Sequence, residues 1–372
     1  MSAPRRARGV SPLAAVAGLA VAAGLVQLRR AAKGLPSAMG ASQRRIEPAV
    51  SGASRYADGT FSNVLPGTVM AHGTGKQLLR AMLTRGDRGK PAGPIPLSAV
   101  PELRKAADLA VTWLGHASAL IELDGHWILA DPVWGERVSP SPTVGPVRLH
   151  PVPMELDDLP VLDAVLISHD HYDHLDLPTV RALVAGQSAP FLVPLGIGAH
   201  LRKWGVPEDR IVELGWNDSH AVGELTITCT EARHFSGRGL KRNLTLWSSW
   251  ALAGPQHRVF FGGDTGYTPA FAEIGARLGP FDLTILPIGA YADQWPDIHM
   301  NPEQAWRAHG DLGGKLLVPI HWATFDLALH AWAEPVDRLL AVADPAAVAV
   351  PPPGGRVVVA DPTPVSAWWS GL

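Results

Sequence analysis

The chain is poor in cysteine and in net charge. Cys229 is the only cysteine among 372 residues, so a disulfide within the chain is excluded. The formal net charge is −2 at pH 7, which argues against nucleic acid as a partner, because nucleic-acid-binding domains normally carry a basic field. Hydrophobic residues are 47% and charged residues 18% of the chain, so a large core can form. Cys229 lies in a strand-like stretch and is interpreted as a small core residue.

A hydrophobic run long enough for a clear membrane span is also missing. The N-terminal run at residues 13–26 has the length of a signal h-region, an interfacial segment or a buried helix. Basic residues flank it on both sides: Arg5, Arg6 and Arg8 before it, and Arg29, Arg30 and Lys33 after it. This pattern predicts that residues 1–36 are an uncleaved targeting or anchor segment, which would make the protein membrane-associated or exported. An ordinary alanine-rich helix packed on the body is the alternative.

The rest of the chain changes character at about residue 108. Residues 37–107 are rich in glycine, proline and polar residues, and we expect an extension of the domain that follows. Strands are expected at 109–114, 119–123, 127–130, 162–167, 191–194, 225–230, 244–252, 259–261, 283–287, 316–320 and 357–360. Helices are expected at 177–184, 269–278, 302–309 and 334–342. Residues 108–372 are therefore predicted to form a layered α/β sandwich that carries the catalytic site.

A dense set of metal-ligand residues follows the strand predicted at 162–167. His169 and His171 are two residues apart, so in extended backbone their imidazoles point to the same side. Asp173 and His174 follow before the predicted helix. Three imidazoles and one carboxylate suit zinc. One tetrahedral zinc could not easily use all four and keep a place for water, whereas two metals with further ligands could.

Three more ligand-type residues each follow a predicted strand. They are His234, Asp264 in a glycine-flanked turn, and His321. Since α/β folds place their sites at strand ends on one rim of a sheet, we expect these residues to join the first cluster. Asp170 and Asp176 do not match the spacing of the ligand residues, and they are interpreted as loop or helix-capping residues.

The sequence of residues 169–174, His-Asp-His-Tyr-Asp-His, matches the His-x-His-x-Asp-His signature of the metallo-β-lactamase superfamily. Further segments resemble N-acylphosphatidylethanolamine-hydrolysing phospholipase D: residues 112–117, 130–132, 165–169, 263–267, 271–275, 279–283, 287–291 and 320–325. The resemblance spans about residues 109–335, in order and at similar spacing, and it leaves out the first hundred residues.

This resemblance implies a four-layer αββα sandwich with two zinc ions per chain, although iron or manganese could occupy the same ligands. Each metal is implied to have three ligands of its own: His169, His171 and His234 for one, and Asp173, His174 and His321 for the other. Asp264 would bridge the two metals. The resemblance also implies four residues that line the pocket or support the ligands: His116, Asp131, Tyr172 and His299.

The function implied is cleavage of a phosphodiester bond, in a phospholipase D-like reaction on a phospholipid. Two neighbouring metals can share a hydroxide, because they lower the pKa of water from about 15.7 to about 7. We expect this bridging hydroxide to attack phosphorus. Asp264, Asp173 and His321 are the residues expected to be essential for catalysis.

Two alternatives stay open. The same site could act on a β-lactam, a lactone or a small phosphodiester, or the chain could be a noncatalytic, membrane-associated binding protein. The intact ligand set disfavours the noncatalytic alternative, since such a protein would be expected to have lost Asp173, Asp264 or His321. The expected partners are a phospholipid or other phosphodiester substrate and a membrane surface. The oligomeric state stays open, with a homodimer as one option.

Overall fold

The segment before the first long strand packs on the body through short elements. The computed structural model describes residue 24 and residues 26–372. This segment contains helices α1 (Leu35–Ala38), α2 (Gln43–Val50) and α3 (Gly75–Thr84), and a hairpin of β1 (Tyr56–Ala57) and β2 (Thr60–Phe61). Ile46, Val50 and Phe61 are buried in one cluster with Trp247 of the body, so apolar burial holds the segment in place.

Two mixed β-sheets form the centre of the structure. The first contains β3 (Leu109–Gly115), β4 (Ser118–Leu123), β5 (His126–Ala130), β6 (Ala164–Leu166), β7 (Phe191–Pro194) and β8 (Ile211–Leu214). The second contains β9 (Ser219–Val222), β10 (Leu225–Thr230), β11 (Ser249–Ala253), β12 (Arg258–Phe261), β13 (Leu283–Pro287) and β14 (Leu316–Ile320). The last strand, β15 (Arg356–Val358), returns to the first sheet, so the orders are β15-β3-β4-β5-β6-β7-β8 and β14-β13-β12-β11-β10-β9.

Alternating side chains along the first sheet separate two apolar layers. Ile121 of β4 packs with the second sheet, whereas its neighbour Leu120 packs with α4 (Leu177–Gly186) and α5 (Gly198–Trp204) on the outer face. Helices α6 (Ala270–Leu278), α7 (Pro302–Asp311) and α8 (Glu334–Val342) contribute side chains to the cluster of the second sheet. The predicted αββα sandwich is confirmed.

The strands that precede the predicted ligands end at one edge of this sandwich. Strands β12, β13 and β14 are parallel, and β10 runs in the same direction because β11 is antiparallel to both β10 and β12. The end of β6 is tied to the second sheet, since the Ser248 N–H donates to the Ser168 carbonyl at 2.9 Å and Trp250 Nε1 to the Ile167 carbonyl at 3.1 Å. These bonds bring the loops of both sheets together.

The largest error among the predicted elements concerns the strand at 244–252. Strand β11 begins only at Ser249. The Leu246 and Ser248 N–H groups donate to the carbonyls of Leu195 and Ser168, in loops of the first sheet. Residues 245–248 are therefore buried without joining a ladder. The short elements α5, β8 and β9 of the body were not predicted. Strands β8 and β9 are half-buried or exposed over most of their length, so their apolar alternation is weak.

The predicted anchor segment, residues 1–36, is described only at residue 24 and from residue 26 onward. Its apolar run, 13–26, lies almost wholly outside the described residues. Among residue 24 and residues 26–372, no helix combines the length and the apolar character needed to cross a bilayer. Cys229, by contrast, is described and buried in the core, as predicted.

One buried ion pair fastens β15 to β4 and generates a stability prediction. Glu122 is fully buried and accepts hydrogen bonds from Arg356 Nε at 2.6 Å and Nη2 at 2.8 Å. Arg356→Met should destabilise the fold by about 3–5 kcal/mol, because it leaves a buried carboxylate without its cation. Urea unfolding would measure the loss. Lys315→Met, which breaks the more exposed pair with Asp282, is the control and should cost at most about 1 kcal/mol; equal losses would contradict the interpretation.

Candidate metal centre

The first run of ligand-type residues occupies the loop between β6 and α4. Nε2 of His169 lies 2.7 Å from Nδ1 of His171, so both imidazoles point to the same side. The chain then turns, because the His174 N–H donates to the His171 carbonyl at 3.1 Å, and this turn places the His174 ring 4.2 Å from that of His169. Asp176 accepts a hydrogen bond from the Thr179 N–H at 3.1 Å and caps α4, as predicted.

The first ligand group consists of His169, His171, His234 and Asp264, whose ligand atoms all lie within 4.8 Å of one another. Nδ1 of His171 is 3.3 Å from Nε2 of His234. Oδ2 of Asp264 is 3.9 Å from Nε2 of His169 and 3.7 Å from Nε2 of His234. Residues from both sheets therefore converge on one point.

The second group consists of His116, Asp173, His174 and His321, again within 4.8 Å. Oδ2 of Asp173 lies 2.9 Å from Nε2 of His116 and 3.5 Å from Nε2 of both His174 and His321. His116 was expected only to support the ligands or line the pocket. Its position admits either a direct role or a hydrogen bond that orients Asp173.

Asp264 contacts both groups. Besides the two histidines of the first group, its Oδ2 lies 3.2 Å from Nε2 of His174 and its Oδ1 3.0 Å from Nε2 of His321. The turn that presents it requires glycine at 263, where φ is +55° and a Cβ would lie 2.4 Å from the Ser168 side chain. Asp264 thus occupies the place that a bridging carboxylate would need.

A buried carboxylate fixes the orientation of the histidines from behind. Oδ2 of Asp131 lies 2.7 Å from Nδ1 of His174 and accepts the Ser168 hydroxyl proton at 2.6 Å. Since that proton is directed to Asp131, the Ser168 oxygen is free to accept from Nδ1 of His169 at 2.9 Å. In their neutral forms, both imidazoles then present an Nε2 lone pair to the metal centre.

Several buried polar atoms of the centre form no hydrogen bond with any residue that the structure describes. They are Nδ1 of His116, Nε2 of His174, Oδ1 of Asp264, Nδ1 of His299 and both ring nitrogens of His321. Each buried polar atom without a partner costs about 1–3 kcal/mol. Imidazole nitrogens and carboxylate oxygens gathered in this way fit divalent metal ions, which would satisfy them together.

Burial keeps the three imidazoles of the first group neutral. It is the largest cause that holds the pKa of His169 and of His234 well below the ordinary value, and it also lowers the pKa of His171. All three imidazoles therefore have a lone pair available at pH 7, as metal ligands must.

The second group carries charge before metal binds. Burial disfavours the charged forms of His174 and His321, but Asp264 and Asp173 outweigh it, so that the pKa of His174 lies well above its ordinary value and the pKa of His321 rises to about 9. Burial likewise opposes ionisation of the two carboxyls, yet the His174 charge holds the pKa of both well below the usual range. A metal that enters this group must displace protons from both imidazoles.

His299 lies at the edge of the centre, in the loop after β13. Its Nδ1 is 3.9 Å from Oδ2 of Asp264, and with Asp264 and His321 it forms a third set of ligand-type residues. Burial lowers its pKa to about 4, so it is neutral at pH 7. It also lines a polar cavity of about 360 Å³, whose other walls include Tyr291, Asn301, Glu334 and Arg338.

Tyr172 and Asp170 project away from the ligand groups. The Tyr172 hydroxyl donates to the Arg238 carbonyl at 2.7 Å, and its ring packs with Val133, Val138 and Phe325. Asp170 accepts the Gly237 N–H at 2.7 Å and lies 3.3 Å from Nε2 of His200, which agrees with its interpretation as a loop residue.

Sequence reasoning gave no role to Ser168 and did not find Arg238. Nη1 of the buried Arg238 donates to the carbonyls of Asp170 and Leu175, both at 2.7 Å. It therefore holds both ends of the loop between β6 and α4, which we call the ligand loop. Neither residue follows a ligand spacing, since both act through hydrogen bonds that only the folded chain creates.

The backbone is strained at three of these positions. His116, Asp131 and His321 have φ values of +52°, +41° and +64°, and each such residue costs about 1–3 kcal/mol. The His116 and His321 loops stabilise each other, because the His321 N–H donates to the His116 carbonyl at 2.9 Å and the His116 N–H to Thr324 Oγ1 at 2.6 Å.

The chain is similar to known proteins in sequence and in fold. Residues 126–322 match the family described as beta-lactamase superfamily domain. An uncharacterized protein of Mycobacterium tuberculosis is 55% identical over 364 residues, which is 95% of this chain and 97% of that protein. N-acyl-phosphatidylethanolamine-hydrolyzing phospholipase D 1 of Caenorhabditis elegans is 38% identical over 68% of this chain and 74% of its own length. The solved structure of an isothiocyanate hydrolase from Delia radicum gut bacteria shares the fold, with a TM-score of 0.55 and 21% identity over 67% of this chain and 98% of that chain.

The charged histidines generate a prediction on proton release. Loading zinc at pH 7.5 should release about two protons per chain from side chains, one each from His174 and His321. Ionisation of the water shared by the two metals would add up to about one more proton. Affinity in the second group should therefore rise with pH through about 9, where His321 loses its own proton, and the pKa of His174 also lies well above its ordinary value. The first group, whose three imidazoles are neutral, should show little pH dependence above pH 7. Titration calorimetry in buffers of different ionisation enthalpy measures the release. In His321→Ala the release should fall by about one proton; no release from the unmodified chain would contradict the account.

A second prediction concerns Asp131. Asp131→Asn can donate to Nδ1 of His174 and so favour the tautomer that has its proton on Nε2, and metal affinity should fall by about 10–100-fold. Competition with a chromophoric zinc chelator measures the affinity. Asp176→Asn changes another buried carboxylate, one that caps α4, and serves as the matched control. Equal affinities for the two variants would show that Asp131 does not hold a ligand.

Proposed function

The chain is a metal-dependent hydrolase that belongs to the metallo-β-lactamase superfamily, and we propose that it is a two-zinc phosphodiesterase that acts on a phospholipid. The observation that carries the proposal is the contact of Asp264 with both ligand groups. A site with two adjoining groups and one shared carboxylate is suited to in-line displacement at phosphorus. The likeness to a phospholipase D, which covers two thirds of the chain, supports a lipid substrate.

Zinc is the metal that the donor set favours. The first group would hold one ion through His169, His171 and His234, the second would hold another through Asp173, His174 and His321, and Asp264 would serve both. Bound metals would supply Lewis acidity toward the phosphate and would make water acidic enough to act as a nucleophile near neutral pH. Iron and manganese accept the same donors and are to be compared with zinc directly.

The residues of the chain contribute orientation and proton control. Asp131 accepts a hydrogen bond from His174 and so fixes its ring, and Asp264, which contacts both groups, would orient the attacking water. In the proposed reaction, water adds to phosphorus and the alcohol of the head group leaves. The neutral His299 offers a hydrogen-bonding group at the boundary between the centre and its polar cavity. That cavity suits a polar part of the substrate rather than an acyl chain.

The proposal predicts zinc-restored hydrolysis of N-acylphosphatidylethanolamine. The full chain in mixed micelles should release phosphatidic acid, lose turnover on chelation and regain it with zinc more fully than with iron or manganese. Asp264→Asn and His321→Ala should each lose at least about 100-fold, because even residues that only support a ligand cost about 10–100-fold.

His309→Gln provides the control for these variants, since His309 is also buried but bonds to Thr284 outside the centre. It should keep most of the turnover. Full activity of Asp264→Asn, or activity that survives chelation, would overturn the proposal. Two bound metals without phosphodiester hydrolysis would redirect the search to lactones and β-lactams.

A further inference from the structure

Helix α3 exposes leucine side chains on its outer face. Leu79 is 59% exposed and Leu83 78% exposed. They are four residues apart and therefore share a face of the helix. Leu78 and Ala81 are half-buried and lie on the side toward the body. Met70, five residues before the helix, is also exposed.

Basic side chains lie beside these leucines. With about 100° between successive residues, Lys76 and Arg80 continue the exposed arc that begins with Leu79 and Leu83. Residues 59–86 contain no aspartate or glutamate. An exposed helix face with leucines and basic residues side by side is typical of helices that lie in the surface of an anionic bilayer.

Hydrogen bonds attach α3 to the loops of the metal centre. Before the helix, the Ala71 N–H donates to the Gln294 carbonyl at 2.7 Å and the Thr68 N–H to the Asp297 carboxylate at 3.0 Å. This loop continues to Ile298, whose carbonyl lies 2.8 Å from Nδ1 of His234, and to His299.

The other end of the helix is fastened in the same way. Arg85 donates to the Asp326 carboxylate and to the Ala328 carbonyl, in the loop that follows His321. Helix α3 thus spans two loops that carry ligand-type residues, and whatever α3 binds is held next to the centre.

We propose that α3 is a bilayer-docking helix whose Leu79–Leu83 face enters an anionic phospholipid surface. The role of this docking rests on the proposed function, because docking would place the metal centre next to a bilayer that contains the substrate. A second copy of the chain is a poorer occupant. Two leucines cover much less than the ~800 Å² per partner of a standard interface, and a twofold contact would oppose like charges on Lys76 and Arg80.

The test uses the full chain with an environment-sensitive fluorophore on Leu83→Cys. Cys229 is buried and should not react. The vesicles contain phosphatidylglycerol and phosphatidylcholine and no N-acylphosphatidylethanolamine. Val161→Cys is the matched control, because Val161 is 79% exposed, against 78% for Leu83, and lies before β6, at the end opposite His169.

Docking predicts a blue shift and brightening at position 83, none at position 161, and a weaker response in Lys76→Gln/Arg80→Gln. Vesicle binding without a change at 83, or no vesicle binding, would overturn the proposal. So would an equal response to pure phosphatidylcholine, or a shift at 83 that grows with protein concentration without vesicles and so reveals a second copy.

A separate assay keeps docking and catalysis distinct. Leu79→Ser/Leu83→Ser should hydrolyse a soluble chromogenic phosphodiester as the unmodified chain does, but lose most activity on vesicle-borne substrate. A docking response without hydrolysis would refute the proposed function alone, and hydrolysis without a docking response would refute the docking helix alone.

Discussion

The buried carboxylate of Asp264 is the contact on which the architecture of the centre depends. It lies within 4 Å of nitrogens from His169, His174, His234, His299 and His321, residues supplied by both sheets. A carboxylate taken out of water needs compensating charge. In the metal-free chain protonated imidazoles provide it, and bound cations would replace those protons. Folding, proton binding and metal binding are therefore linked through one group.

The surrounding fold supplies the rigidity that this contact requires. Three residues of the centre occupy strained backbone conformations, and the hydrogen bonds between the His116 and His321 loops offset part of that cost. Residues 244–248 leave the sheet and bond to Ser168 and Leu195, which ties the ligand loop to the opposite sheet. The ligand loop is also connected to the N-terminal segment, because Arg238 donates both to this loop and to the carbonyl of Ala38.

Much of the fold and of the centre was accessible from the sequence, for identifiable reasons. The strands that end at Thr230, Phe261 and Ile320 are short and mostly buried, so their ends could be located and a ligand-type residue that follows each strand assigned to one rim. Hydrogen-bonded support was not accessible. The role of Ser168 depends on where Asp131 lies, and Arg238 acts through backbone carbonyls that carry no sequence signal. The loop within the predicted strand at 244–252 could not be recognised from the sequence, because a buried loop and a buried strand have similar composition.

The central claim is that two metals share Asp264, and anomalous diffraction from crystals of the zinc-loaded chain tests it most directly. The account predicts two peaks per chain, one among His169, His171 and His234 and one among Asp173, His174 and His321, with Asp264 in contact with both. A single peak, or two peaks that Asp264 does not join, would contradict it.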